Sequence, residues 1–512
     1  MNASASPSTP APVAAPRPLR VAIIGAGFSG IAMALALKKA GHVQEMTIID
    51  KAGEFGGTWR DNIYPGCACD VPSHLYSLEG EPYDWPGFYS HQPAIQQYIL
   101  DVVAKHGLRE HARLGNGVAS QTWSDETASW HLTLDDGSTL EAEVVVNGVG
   151  PLSTPIVPNI AGLDRFDGPA FHSAQWDPAV NVTGKRVGII GTGASAVQII
   201  PSIVDRVGHM TVFQRTPSWV LPRVERTFSP VERFALRNVP GAQKAVRGFV
   251  NLTVEHVVWR ILAQDEAAQD RAVKLGTWNL RKGVKDAALR EVLTPSLKPG
   301  CKRLMFSNTY YPALSRDNVT LQTGGVTEVT PTGVTMDDGT HVDLDIIVYG
   351  TGFDPHHFWA PMEIIGQGGR NLEEQWSPAA NAYNGTTTPN FPNLFFLLGP
   401  NTGTGHNSVV LMAEAQAKYV VGALEYLRSG AAAWIAPTEQ AADAFNAEIA
   451  ERHARLVWAS GCGSWYLNEA GINDTIYPGP VRDFQRRISR FDIAAYHTGH
   501  QVSSEDRVGT AV

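Results

Sequence analysis

One local design occurs twice in this chain and narrows the fold more than any other feature. Residues 21–30 read VAIIGAGFSG and continue as IAMALALKKAG. Residues 186–196 read RVGIIGTGASA and continue as VQIIPSIVDRVG. Each is a short β-branched run, a glycine turn, and a segment with helical spacing of apolar residues. Each is followed by a second strand-like run, MTIID at 46–50 and HMTVFQ at 209–214. Two strand–helix–strand units of this kind predict two doubly wound parallel sheets, that is, an α/β protein with two Rossmann-like dinucleotide-binding domains.

The turns carry chemistry as well as topology. Gly25, Gly27 and Gly30, with Phe28 and Ser29 between them, fit G-x-G-x-x-G. The first glycine makes the turn, the second admits a pyrophosphate to the backbone, and the third lets helix and strand pack closely. Asp50 closes the next strand about 20 residues further on, where an acid meets a ribose hydroxyl. The second copy runs Gly191, Thr192, Gly193, Ala194, Ser195, Ala196, and its next strand ends in Gln214-Arg215-Thr216 rather than in an acid. A guanidinium and a hydroxyl suit a 2′-phosphate. One site for FAD and one for NADPH are the expectation.

Between and around the two units the pattern changes. Residues 225–300 have helical spacing and few strand signals, so a helical insertion in the second domain is expected. Strand signals return from Asn318, and SVVLMAEAQAKYVVGALEYLRS reads as a long helix over 408–429. The expected division is a disordered Ala/Pro/Ser-rich tail at 1–18 and FAD-domain segments at 19–150 and 351–512. NADP-domain segments follow at 151–224 and 301–350, with the helical insertion at 225–300.

With 512 residues, 43% hydrophobic and 18% charged, the composition is that of a globular protein of about three domains. A net charge of −9 argues against nucleic acid as the main partner. No apolar run approaches the ~18 residues of a membrane span. Four cysteines exclude a disulfide scaffold and point to the cytoplasm. Cys67 and Cys69 stand as C-x-C with no second pair nearby, so no metal site is expected.

The segment FDGPAFHSAQWD, residues 166–177, lies just before the second unit. Its Phe166, Gly168, His172, Trp176 and Asp177 match F-x-G-x-x-x-H-x-x-x-W-D. The chain thereby resembles the type I Baeyer–Villiger monooxygenases, flavoproteins of the flavin-containing monooxygenase superfamily. The resemblance extends through Gly56-Gly57-Thr58-Trp59, Cys69-Asp70, residues 72–76, Gly300–Arg303, residues 349–354 and 396–408, and spans about 19–491. It implies an NADPH- and O2-dependent conversion of ketones to esters or lactones through a C4a-peroxyflavin and a Criegee intermediate. Arg303 is implied as the catalytic cation, Asp70 as its partner, and Lys302 as a contact to NADP. Lys51, Gly57, Thr58, Trp59, Asp70, Tyr76, Val118, Arg303 and Asn401 are implied cofactor contacts. The fingerprint itself is expected to couple domains rather than touch substrate. An N- or S-oxygenating relative and a catalytically silent NADP/FAD redox sensor are the alternatives. Trp465 and Tyr466 fit a cavity wall and a C-terminal core equally well.

Overall fold

The computed structural model describes residues 18–500. The tail expected at 1–18 therefore lies, apart from Pro18, outside the described residues.

The two expected sheets are present. In the first, five parallel strands run in the order Leu394–Phe396, Val144–Asn147, Val21–Ile24, Met46–Asp50, Ala112–Leu114. In the second the order is Val319–Thr323, His209–Gln214, Arg186–Ile190, Ile346–Tyr349, Ala170–His172, again all parallel. The central strands VAII and VVVN are buried throughout, as strands covered on both faces must be. Helix Phe28–Lys39 follows the first turn and packs on the long helix Val409–Arg428.

A feature the sequence reading did not separate covers the other face of the first sheet. Val118–Ser124, Ser129–Leu134 and Thr139–Ala142 form an antiparallel meander, extended in parallel by Glu363–Ile365. Its Trp130 and Leu132 share a core with Ala22, Ile24 and Ile49.

The segment expected to be a helical insertion holds the helices Pro230–Asn238, Ala242–Leu262, Glu266–Gly283 and Ala287–Leu293. Three of these helices start on side-chain caps: a Ser229–Glu232 capping box, Asp265 to the Ala268 N–H, and Asp286 to the Leu289 N–H. Each cap satisfies a backbone donor that has no partner inside its helix.

One disulfide is present where the cysteine count had pointed to a reduced protein. Cys301 and Cys462 are joined with their Cα atoms 5.9 Å apart. Packing alone decides this, since 161 positions separate them. Cys67 and Cys69 are free and buried, and burial pushes the Cys67 thiol up to about 11. No described helix is long and apolar enough to cross a membrane.

Candidate functional site

Both glycine turns open onto one cavity of about 1460 Å³. That exceeds the ~300–1,000 Å³ of a pocket for a single small ligand, so two dinucleotides can share it. The helices that begin there have no side-chain caps: Gly27 precedes Phe28–Lys39, Gly193 precedes Ala194–Ile203, and Ser408 precedes Val409–Arg428. Their first N–H groups and positive dipole ends are left for an anion or an electron-rich ring edge.

On the first side, Gly25, Gly27, Phe28, Ser29, Asp50, Lys51, Gly57, Thr58, Trp59, Asp70, Tyr76 and Val118 line the cavity. Gly30 does not. A Cβ there would lie 1.8 Å from the Gly25 carbonyl oxygen, so its task is close packing of helix on strand. Asp50 accepts from the Ala26 N–H (2.7 Å) and the Ala52 N–H (2.9 Å), with Arg60 Nη1 at 3.2 Å. It thus holds the turn while lining the cavity. Trp59 Nε1 donates to the Tyr76 hydroxyl at 3.0 Å.

On the second side, Gly191, Thr192, Gly193, Ala194, Ser195, Arg215, Thr216 and Lys302 line the cavity. Ala196 is buried outside it. Lys302 donates to the Thr216 hydroxyl. Burial and the neighbouring Arg215 charge lower the Lys302 pKa. Among the described residues neither cation is paired with a carboxylate, Lys302 bonding Thr216 beside Arg215 instead. Two cations held together unpaired repel each other, and a phosphate dianion relieves that repulsion. Open cradles at Gly27 and Gly193, bare helix ends and this cation pair are the features that two dinucleotides would engage.

Asp70 and Arg303 meet where the two sides join. Arg303 Nε donates to Asp70 Oδ2 at 2.9 Å and Nη2 to Oδ1 at 2.8 Å. Asp70 raises the Arg303 pKa beyond its ordinary value, with burial opposing, so the guanidinium is a fixed charge. About a third of its side chain is open, and it lines the cavity.

One group that sequence reasoning missed, Gln198, and one that it left open, Tyr466, set this junction. Gln198, on the helix Ala194–Ile203, accepts from the Tyr64 hydroxyl (3.0 Å) and the Ala68 N–H, and donates to the Ala68 carbonyl (2.9 Å). It fixes the loop carrying Asp70 against the second unit. Tyr466 is buried beside Arg303 and lines the cavity. No local motif marks Gln198; the Trp465-Tyr466 pair was the only signal for Tyr466.

Asn401 is directed elsewhere. Its amide donates to the carbonyls of Asn473 (2.8 Å) and Ile476 (3.2 Å), and it ties the C-terminal loop instead of lining the cavity. The fingerprint residues Phe166, Gly168, His172, Trp176 and Asp177 also lie off the cavity wall. His172 Nδ1 accepts from the Ala174 N–H at 3.1 Å, and its ring stacks edge-on against Phe353. Burial lowers its pKa. Asp177 caps the Ala179 N–H at 2.8 Å.

Known proteins resemble this chain closely. The family described as flavin-binding monooxygenase-like matches residues 18–242. A Baeyer–Villiger monooxygenase of Streptomyces coelicolor is 42% identical over 93% of this chain and 92% of its own. One from Pseudomonas aeruginosa is 40% identical over 97% and 94%. The solved structure of OTEMO in complex with FAD and NADP superposes with a TM-score of 0.84, at 27% identity over 93% of this chain and 97% of that one.

Proposed function

The chain belongs to the Baeyer–Villiger monooxygenases, and we propose that Arg303, held by Asp70, carries the oxygen-insertion step on a ketone. It is an FAD-dependent enzyme that uses NADPH and O2. One oxygen atom enters the substrate, making an ester or lactone, and the other leaves as water. The glycine turn at Gly25–Gly30 is proposed to hold FAD, and the turn at Gly191–Ala196, with Arg215, Thr216 and Lys302, to hold NADPH. Bound FAD supplies oxygen activation and NADPH supplies the electrons.

The observation that carries the reading is the two-pronged Asp70–Arg303 ion pair on the cavity wall. Attack on a ketone carbon places negative charge on the carbonyl oxygen. A preorganised cation in a water-poor site stabilises that charge without reorganising. The paired N–H donors leave Arg303 further N–H groups for the cavity. Asp70 fixes the plane of the fork and offsets the cost of burying it. Residue limits for the two dinucleotide domains, and the cytosol, where NADPH is available although a bond such as Cys301–Cys462 is unusual there, are part of the same proposal.

Substitution of Arg303 tests it. Arg303→Ala should keep bound FAD and still be reduced by NADPH, while ester formation falls about 10²–10³-fold or more and hydrogen peroxide accounts for the oxygen consumed. Asp70→Ala should fail in the same direction, less completely. Wild-type ester yield per NADPH in Arg303→Ala would leave the ion pair a structural tie and end the proposal.

A further inference from the structure

Among the described residues, the Tyr466 hydroxyl has a donor beside it in Arg303 but no acceptor for its own proton. It is 3% exposed, and its ring packs against Trp458 (centroids 5.4 Å) and Trp465 (4.8 Å). It is nevertheless part of the cavity wall. Its hydroxyl oxygen faces the Arg303 guanidinium as an acceptor, and among the described residues its proton has no acceptor. A buried tyrosine proton ordinarily finds an acceptor, and one left without is destabilising. Phenylalanine would fill the same space without that cost.

The segment is anchored from several directions. Cys462 is bonded to Cys301, two positions before Arg303. The Trp465 carbonyl meets His356 Nε2 at 3.1 Å, and His356 Nδ1 meets Asp474 at 2.6 Å. The Tyr466 carbonyl accepts from the Thr475 hydroxyl at 3.4 Å. The hydroxyl is therefore held at the cavity wall by covalent and hydrogen-bonded supports. Guanidinium has donors only. The phenol oxygen can face Arg303 while its proton points into the cavity. Burial raises the Tyr466 pKa, with Arg303 opposing, so the proton is retained at neutral pH.

We propose that Tyr466 is a second hydrogen-bond donor of this site, given to the carbonyl oxygen of the substrate beside Arg303. The inference rests on the reading of Arg303 above. It makes Tyr466 specific for carbonyl substrates: a thioether, which lacks that oxygen, has nothing for the hydroxyl to bind.

Tyr466→Phe is the test. Its FAD content and its rate of reduction by NADPH should match the wild type, and its thermal midpoint should stay close to it, because the loss of the contact to Arg303 is offset by the loss of a buried proton without an acceptor. The kcat/KM for a ketone should fall about 10²-fold, while thioether oxidation stays within a few-fold. The ester product should bind the oxidised holoenzyme more weakly, read from the change in flavin absorbance. Equal losses on ketone and thioether, or unchanged ketone kinetics and ester binding, would overturn the role of Tyr466. A wild-type enzyme that makes no ester from a broad ketone panel would overturn the underlying reading instead.

Discussion

The two glycine turns share a backbone path and differ in what surrounds it. Gly25 and Gly191 have φ of +104° and +112°, and a Cβ on either would lie 2.5 or 2.4 Å from a carbonyl oxygen, of Gly148 or Gly350. Both serve the fold. Gly27 and Gly193 have ordinary φ, −88° and −78°, and a Cβ would make only ordinary contacts, with Gly57 Cα at 3.6 Å and N at 3.9 Å or with Gly350 O at 4.0 Å. Both leave room for a ligand. At the third position the turns diverge: Gly30 tolerates no Cβ, whereas the second turn accommodates Ala196 fully buried. At the end of the next strand they diverge chemically, into Asp50 and into Arg215. The same motif thus contains one glycine kept for the chain and one kept for what binds it.

The largest effect expected from this comparison is at Gly27. Gly27→Val should yield folded protein without flavin, because the added atoms enter the cradle and not the backbone packing. Gly25→Val should instead lose the fold. Circular dichroism with flavin absorbance separates the two, and a yellow, FAD-saturated Gly27→Val would show that flavin is held elsewhere. Arg215→Ala should come next, raising KM for NADPH about 10- to 100-fold, the range for losing a charge-assisted hydrogen bond. KM for NADH should hardly move, since only the 2′-phosphate meets the guanidinium. Parallel losses for both nucleotides would remove the chemical contrast between the turns.

The smallest expected effect is a pH dependence. Lys302 has its pKa lowered by burial and by Arg215, so its charge is lost at a lower pH than that of an ordinary lysine. KM for NADPH should rise on the alkaline side, several-fold at most because Lys302 is only one of the contacts to the phosphate. Lys302→Arg should flatten that rise. A pH profile of kcat/KM for NADPH in the two proteins checks this, and coincident profiles would remove Lys302 from the phosphate site.

Much of the fold was legible because it is written in short windows. Runs such as VAII and VVVN carry strand preference, and the glycine turns and the helical insertion can be placed without reference to distant residues. The antiparallel meander at 118–142 was harder. Its strands are short, and they acquire a role only by covering Ala22, Ile24 and Ile49. The candidate site divides the same way. Its turn residues were readable from spacing, and Arg303 and Asp70 from a resemblance. The reach of Asn401 into the 473–476 loop, the Gln198 bridge and the meeting of Tyr466 with Arg303 had no local signature.

What the sequence by itself determined is the duplicated strand–turn–helix design and the chemical difference between Asp50 and Arg215. Both follow from backbone sterics and side-chain chemistry within a few residues of a turn. Only the tertiary structure decided that both turns open onto one cavity and that Cys301 meets Cys462. It alone brought Asp70 into two-pronged contact with Arg303, 233 positions away. Contacts at such separation are chosen by how whole sheets and helices pack, and packing is a property of the assembled chain, not of any window within it.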